Sequence, residues 1–272
     1  MKSFRVFSLE ATGILADLAH DPQPTQVFCF AGGIPEYASP KSTYYGTVTE
    51  GRVILARLDV EKGRWQEYEL EAGMFFVATG PIQVDAREGR GLMISRIGYE
   101  GLFQIGGPIE ERGRLKYVNG CSDTMIVAPP KKGDPCLNHL HIPPHVDQTY
   151  HDHPSNRIGV IAAGSGWCLT PDPRHPSPVP DPHEPDAEKR IIHLDGHEGW
   201  DIHELKPGCG WWIPTGLIHS FHTEESHLDV TAWHPETVFG PTDEDHPMVS
   251  RTLIEGRPVS EFEGVLTKEI VN

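Results

Sequence analysis

The chain has 272 residues, of which 38% are hydrophobic, and carries a formal net charge of −16 with histidine neutral. Such an acidic protein does not attract phosphate backbones or anionic lipid surfaces, which argues against nucleic-acid and membrane partners. No stretch approaches the roughly 18 apolar residues of a membrane span. The length and the hydrophobic share predict one or two globular domains.

The N-terminus does not resemble a secretory signal, because Glu10 and Asp17 interrupt it early. The cysteines are odd in number and widely spaced, and no C-x-x-C pair occurs, so a disulfide framework is not indicated. We therefore expect a cytoplasmic protein with reduced thiols. The five cysteines are Cys29, Cys121, Cys136, Cys168 and Cys209.

Glycine and proline are frequent, at 28 and 25 residues, and this punctuation favours short strands over long helices. Short helices are expected only near residues 8–18 and 260–270. The strand signals are short runs rich in β-branched or aromatic residues, separated by turn residues. They lie at 27–30, 52–58, 74–78, 91–97, 124–127, 158–163, 210–213 and 228–233.

An internal repeat divides the chain. Residues 70–83 and 205–219 share the pattern Leu-x-x-Gly, a hydrophobic strand, and then Thr-Gly-x-Ile. A weaker match relates residues 50–53 to 165–168, and its different spacing is explained by an insertion at 170–190 that contains seven prolines. The repeat predicts three segments: a first unit at 1–110, a second unit at 111–240 and a C-terminal extension at 241–272.

The second copy contains a histidine pattern with metal-ligand spacing. His151 and His153 follow Pro143-Pro144, and His219 ends the run Pro-Thr-Gly-x-x-His. Residues i and i+2 of a strand face the same side, so the first two imidazoles can point together. His219, beside a tight turn, can supply a third. Three imidazoles leave open positions on a divalent metal, as a catalytic site requires.

These motifs resemble those of the cupin superfamily, in which His-x-His, Glu and Gly form one motif and Pro-x-Gly-x-x-His forms the other. The resemblance covers about residues 135–235. It implies an all-β fold, a double-stranded β-helix or jelly roll with few short helices, and the repeat extends it to a bicupin. His151, His153 and His219 would be the ligands. The family's glutamate falls near Arg157, so we expect a three-histidine site.

Arg157 has the same parity as the two motif histidines and is expected to point inward. A guanidinium near a divalent ion is repelled unless an anion lies between them, so Arg157 is predicted to bind and orient a substrate carboxylate. Tyr150 is assigned a catalytic role, and His141 and Trp212 are assigned substrate contacts. For each of these three, packing or hydrogen bonding inside the protein is the alternative.

The first copy lacks the ligands, because its His-x-His position falls near residues 36–38 and Gln83 stands in the position of His219. We expect no metal in that half, which would supply packing surface or subunit contacts.

Resemblance to three-histidine cupins implies a mononuclear Fe(II) dioxygenase. Its substrate would be a small anionic carboxylate that chelates the metal, and dioxygen would be the second reactant. One alternative is a non-redox lyase, isomerase or decarboxylase that uses Zn, Mn or Ni, since the same imidazoles bind all of these ions. The other is a non-catalytic protein that binds a small ligand. Exposed sheet edges and the resemblance predict a homodimer or a higher homo-oligomer.

Overall fold

The computed structural model describes residues 3–39, 41–59, 61–174, 191–194 and 198–266. Within these residues the chain is all-β, as predicted, with 3₁₀ turns at Val118–Gly120, Val249–Arg251 and Val259–Glu261. The strands up to residue 106 are β1 (Arg5–Ser8), β2 (Gly13–Leu18), β3 (Thr25–Ala31), β4 (Glu36–Tyr37), β5 (Ser42–Asp59), β6 (Arg64–Glu71), β7 (Phe75–Thr79), β8 (Ile82–Ile97) and β9 (Gln104–Gly106).

The remaining strands follow the 107–114 segment. They are β10 (Leu115–Lys116), β11 (Ser122–Val127), β12 (Cys136–Ile142), β13 (Arg157–Gly164), β14 (Gly166–Pro171), β15 (Trp200–Leu205), β16 (Cys209–Ile213), β17 (Ser220–His222), β18 (Leu228–His234), β19 (Leu253–Ile254) and β20 (Arg257–Pro258). Most of the predicted insertion, residues 175–190, lies outside the described residues.

Neither predicted helix is present in the described residues. Residues 13–18 are a strand because burial alternates there with a period of two: Ala16 and Leu18 are buried and Asp17 between them is exposed. Near the C-terminus the structure has only the 3₁₀ turn at Val259–Glu261, and residues 267–270 lie outside the described part.

The first half of the chain forms one eight-stranded sheet. Six strands follow the order β2-β3-β8-β5-β7-β9, while β4 pairs with β8 and β6 pairs with β5. The long strands β5 and β8 pair along most of their length, and two register shifts interrupt their ladder. Such bulges bend long strands, which allows the sheet to fold around its own apolar core. Large side chains fill that core, including Phe30, Phe76, Leu55, Ile82 and Met93.

The second half contains two sheets that enclose a separate core. A seven-stranded sheet has the order β1-β16-β13-β18-β12-β11-β10, and a three-stranded sheet has the order β15-β14-β17. Apolar residues of both sheets pack together, among them Ile161, Cys168 and Phe221. Strand β1 pairs with β16, so the first residues of the chain complete the sheet of the second half, although the sequence predicts a first unit at 1–110.

The two halves pack through a shared apolar layer. Val27, Tyr45 and Leu92 from the first sheet meet Ile158 and Trp233 from the second, and all five side chains are buried. The ring of Tyr45 lies 5.8 Å from that of Trp233. This contact fixes the outer face of β13 and β18, so their opposite face lines the interior of the second half.

The C-terminal extension is exposed and has little secondary structure. Strands β19 and β20 form a small hairpin, and its turn residues Glu255 and Gly256 both have positive φ. Among the residues that the structure describes, none forms a helix with the length and apolar character of a membrane span.

A glycine in β13 allows the central strands of the second sheet to approach closely. A Cβ atom at Gly159 would lie 1.6 Å from the carbonyl oxygen of Thr231 in the neighbouring strand. We expect Gly159→Ala to lower the free energy of unfolding by about 3 kcal/mol, because backbone must move to make room. Denaturant unfolding measures this. Gly13→Ala is the control, since nothing lies within 4 Å of its added Cβ; equal losses in both variants would contradict the explanation.

Candidate metal centre

Backbone hydrogen bonds bring the three motif histidines together. His151 and His219 form an antiparallel bridge in which each backbone N donates to the other's carbonyl oxygen at 2.9 Å. The backbone N of Gly216 donates to the carbonyl oxygen of His153, also at 2.9 Å. Gly216 has φ of 70°, a conformation that favours glycine, which explains why the Thr-Gly turn precedes the third histidine.

The three imidazoles form a compact triangle. Their ring centroids are 4.6, 5.0 and 5.1 Å apart, and one ligand nitrogen from each lies within 4.8 Å of the others. In the described part of the chain, no other group of three His, Cys, Asp or Glu residues brings its ligand atoms as close. The arrangement suits one ion with three protein ligands and open positions.

Hydrogen bonds also set the tautomers. Nδ1 of His151 donates to the carbonyl oxygen of Thr149 at 2.8 Å, and Nδ1 of His219 donates to that of Leu217 at 2.9 Å. Each bond leaves Nε2 as the unprotonated nitrogen, as metal-ligating histidines require. Nε2 of His219 is buried and has no hydrogen-bond partner among the described residues. A divalent ion in the triangle would satisfy it, so these residues fit a metal.

The predicted reason for this arrangement is wrong in one respect. His151 and His153 do not share a regular strand, because residues 143–156 form a loop that touches the sheet only at isolated bridges. The triangle therefore depends on the bonds to His219 and Gly216 rather than on strand parity.

Burial keeps the imidazoles neutral. It lowers the pKa of His219 to about 3, with a further contribution from neighbouring His151, and it lowers the pKa of His151 and His153 as well. Neutral imidazole is the form that binds metal, so the site is ready for a cation at neutral pH.

This burial has a consequence for acid stability. An unfolded histidine binds a proton below pH 6.5, whereas folded His219 does so only near pH 3, so the unfolded state holds more protons between these values. We expect the stability of the metal-free protein to fall as pH drops below 6.5, by up to about 1.4 kcal/mol per pH unit for each such histidine. Denaturant unfolding at several pH values measures the slope. His219→Gln should reduce this slope by the contribution of one proton. An unchanged slope would contradict the explanation that buried, neutral His219 contributes to it.

A cavity of about 240 Å³ opens onto the triangle. Its apolar wall includes Trp211, Ile213 and Phe221, and Leu115 and Tyr117 line it from the β10 side. The polar and charged lining consists of Lys116, Asp123, Asn138, Gln148, His151, His153, Arg157 and His234. A space of this size holds a small organic molecule beside the metal position.

Arg157 lines this cavity, as predicted. Its Nη1 donates to both oxygens of Ser155 and to the carbonyl oxygen of Asn156 at 2.8–3.1 Å, whereas its Nε has no partner among the described residues. Burial lowers the pKa of the guanidinium, and in the described part of the chain it forms no ion pair. A buried cation without a carboxylate partner can bind the anionic group of a ligand.

Comparison with known family models and with curated protein sequences finds no match. Among solved structures, a cupin 2 conserved barrel domain protein from Leptotrichia buccalis is similar over 84% of this chain and 88% of that chain, with a TM-score of 0.50 and 13% identity. The chain has the cupin fold. Oxalate decarboxylase of Bacillus subtilis, which has Mn(II) centres, gives a TM-score of 0.49 and 12% identity over 86% of this chain and 78% of that chain.

The cupin fold predicted from the motifs is thereby confirmed, and the identities are too low to transfer an activity. The site itself must indicate the chemistry. Three predicted site residues, Trp212, His141 and Tyr150, lie outside the metal cavity.

Trp212 does not line the cavity; its neighbour Trp211 does. Trp212 is buried in the layer between the two halves and its Nε1 donates to Oδ1 of Asn156 at 3.0 Å. Trp211, paired with Gly159, faces inward and packs 6.0 Å from Phe221. The alternation along β16 was predicted correctly, and the choice of face was wrong.

His141 also lies on the wrong face for a substrate contact. In β12, Asn138 and Leu140 face the metal cavity, whereas His139 and His141 face the opposite side. There, Asp229 Oδ1 lies 2.7 Å from Nδ1 of His141 and 3.2 Å from Nε2 of His139. These bonds lower the pKa of Asp229 against the effect of its burial.

Tyr150 is buried outside the cavity. It packs with Leu169 and Trp200, whose ring lies 6.0 Å away. Its position matches the packing alternative and does not support the catalytic assignment.

A second hydrogen-bonded network anchors the loop that carries His151. Nδ1 of His222 lies 2.8 Å from Oδ1 of Asp147, and Nε2 lies 2.7 Å from Oγ of Ser220. The series Ser-His-Asp resembles a hydrolase triad, but Ser220 is fully buried and does not line the cavity beside the three imidazoles. The network therefore holds the loop against β17, which positions both His151 and His219.

The first half carries a different pair at the equivalent place. Glu36 and Gln83 are opposite each other in the β4–β8 ladder, as His151 and His219 are in their bridge. Nε2 of Gln83 donates to Oε2 of Glu36 at 3.3 Å. An amide and a carboxylate thus stand where the second half has two imidazoles, which is what a duplication followed by divergence predicts.

Sequence reasoning missed five polar or charged residues of the cavity: Lys116, Asp123, Asn138, Gln148 and His234. Asp123, Asn138 and His234 lie in β11, β12 and β18 but outside the predicted strand runs, and none of them belongs to a motif. The signal that could have identified them is a polar side chain at an inward position of an apolar strand.

Proposed function

We propose that this cupin is a mononuclear Fe(II) dioxygenase that acts on a small carboxylate-bearing substrate. The observation that carries the proposal is a triangle of three neutral imidazoles, two of which line a small cavity, together with a buried guanidinium in the same cavity that has no carboxylate partner among the described residues. The imidazoles add no negative charge, so a bound divalent ion would keep its full charge toward an anionic chelating ligand. Bound Fe(II) would supply the electrons that activate dioxygen.

The protein's own residues provide binding, orientation and exclusion of water. His151, His153 and His219 would hold the ion, and the hydrogen bonds of Thr149 and Leu217 fix two of the rings. Arg157 would bind the substrate carboxylate, because its Nε has no hydrogen-bond partner among the described residues. The aromatic wall of Trp211 and Phe221 keeps the cavity apolar on one side, which strengthens these electrostatic contacts.

Metal loading under argon, followed by activity assays in air, tests the proposal. The metal-free protein is loaded separately with Fe(II), Zn(II), Mn(II) and Ni(II), and each form is screened against small 2-oxo, 2-hydroxy, amino and thiol carboxylic acids. We expect oxygen uptake coupled to loss of one substrate for the Fe(II) form only. Turnover of a substrate without oxygen by the Zn(II), Mn(II) or Ni(II) form would contradict the dioxygenase and identify a non-redox enzyme.

A further inference from the structure

Asp123 places a carboxylate in the wall of the metal cavity. It lies in β11 opposite Leu140 of β12, and both side chains line the cavity that also contains Arg157. A carboxylate in a cavity for anionic ligands is unexpected, because it repels them. The residue therefore needs a separate explanation.

Neighbouring side chains hold Asp123 in place. Nδ2 of Asn138 donates to both carboxylate oxygens, at 3.1 and 3.2 Å. The thiol of Cys136 fixes the orientation of this amide, because it donates to Oδ1 of Asn138 at 3.5 Å. Burial raises the pKa of Cys136 to about 12, so the thiol stays protonated and remains a donor. The chain Cys136–Asn138–Asp123 thus fixes the carboxylate as an acceptor.

The cavity wall holds one carboxylate, Asp123, and two cationic side chains, Lys116 and Arg157. Neither Asp123 nor Arg157 forms an ion pair within the described residues, although both line the same space of about 240 Å³. Tyr117 lines the same cavity; burial raises its pKa, the charge of Asp123 raises it further, and the charge of Arg157 lowers it. Burial raises the pKa of Asp123 itself, so the carboxylate is held there at an energetic cost. A ligand with both an anionic and a hydrogen-donating group would satisfy both residues.

We propose that Asp123, positioned by Asn138, is a second recognition point of the cavity that selects carboxylates carrying an ammonium or a hydroxyl group. This inference rests on the proposed function, in which Arg157 and the metal take the carboxylate. Asp123 accepts a hydrogen bond from the second group and disfavours ligands with a second carboxylate. A site built to bind such a donor discriminates strongly against analogues that lack it.

Calorimetry on the Zn(II)-loaded protein tests the inference without turnover. The probes are ω-amino acids and ω-hydroxy acids of two to four carbons, each compared with the unsubstituted fatty acid and the dicarboxylate of equal length. We expect wild type to prefer the amino or hydroxy acid by about tenfold or more at one chain length. Asp123→Asn should reduce that preference to less than about twofold and tighten dicarboxylate binding. Direct binding of the amine to zinc would survive this substitution, so the comparison separates the two effects.

Two further variants make the result decisive. Asp85→Asn is the matched control, because Asp85 pairs with Arg87 in the first sheet and lies away from the metal cavity. Asp123→Glu extends the carboxylate by one methylene and should shift the preferred ligand to a shorter chain, which also covers the case in which Asp123→Asn fails to fold.

The outcomes are distinguishable. If no probe binds to wild type, the proposed function is overturned and this inference with it. If the probes bind through Arg157 but show no preference, or keep the same preference in Asp123→Asn, this inference alone is overturned.

Discussion

Replacing His219 with glutamine is expected to weaken metal binding by more than about 100-fold, since loss of a mere outer partner of a metal ligand already costs about 10–100-fold. Glutamine is the informative choice because Gln83 occupies the equivalent place in the first half. Its amide can also donate to the carbonyl oxygen of Leu217, as Nδ1 of His219 does, so the turn should keep its structure. The variant then lacks a ligand without lacking a fold.

Elemental mass spectrometry of protein purified without chelator or nickel resin, together with zinc titration, measures the effect. His145→Gln is the matched control, because His145 lies in the same loop with a side chain that is 67% exposed. We expect near-stoichiometric metal in wild type and in the control. Metal retained at full occupancy by His219→Gln would show that these three histidines are not the site.

The sequence predicted that His151, His153 and His219 come together because they lie in motifs with local structural causes. The Thr-Gly turn before His219 needs a positive φ, and Gly216 supplies it. The all-β architecture was likewise readable from short apolar runs and frequent turn residues. What strand parity predicted for His151 and His153 was right in outcome and wrong in mechanism, since a loop anchored to β17 brings them together.

The choice of face within a strand could not be predicted locally. Alternation in β16 shows that Trp211 and Trp212 point to opposite sides, but the packing of the two halves decides which side is interior. His141 was misplaced for the same reason: β12 has one face on the cavity and the other toward Asp229. Such decisions depend on residues distant in sequence, and periodicity carries no information about them.

Asp123 and Asn138 show the second limit. Neither belongs to a motif, and they are 15 residues apart in sequence; only the pairing of β11 with β12 brings them into contact. Polar residues of this kind are found by searching the wall of a cavity in the structure, because the pairing register of the strands decides which residues they contact.

Replacing Arg157 with methionine is expected to lower carboxylate affinity by about 100-fold or more. A bidentate contact to a carboxylate comprises two charge-assisted hydrogen bonds, each worth about 1.5–3 kcal/mol. Binding of propanoate, glycolate and pyruvate to the Zn(II)-loaded protein measures the loss. Arg157→Lys keeps the charge and loses the planar fork, so an intermediate loss is expected.

The same substitution should not destabilise the protein. Arg157 is a buried cation that forms no ion pair with the described residues, and burial already lowers its pKa. Methionine of similar length removes the uncompensated charge, and replacing buried charges with apolar groups is often neutral or stabilising. It also ends three hydrogen bonds from Nη1 to acceptors on the buried residues Ser155 and Asn156, and this loss offsets part of the gain from removing the charge.

These two expectations together separate a binding residue from a structural one. If Arg157 served the fold, Arg157→Met would lower the free energy of unfolding and affect ligands only through general damage. A variant that unfolds at the same or a higher denaturant concentration, retains its metal and binds carboxylates about 100-fold more weakly is explained only by a guanidinium kept in the cavity for an anion. A residue that costs stability and faces a metal position is held there for its ligand.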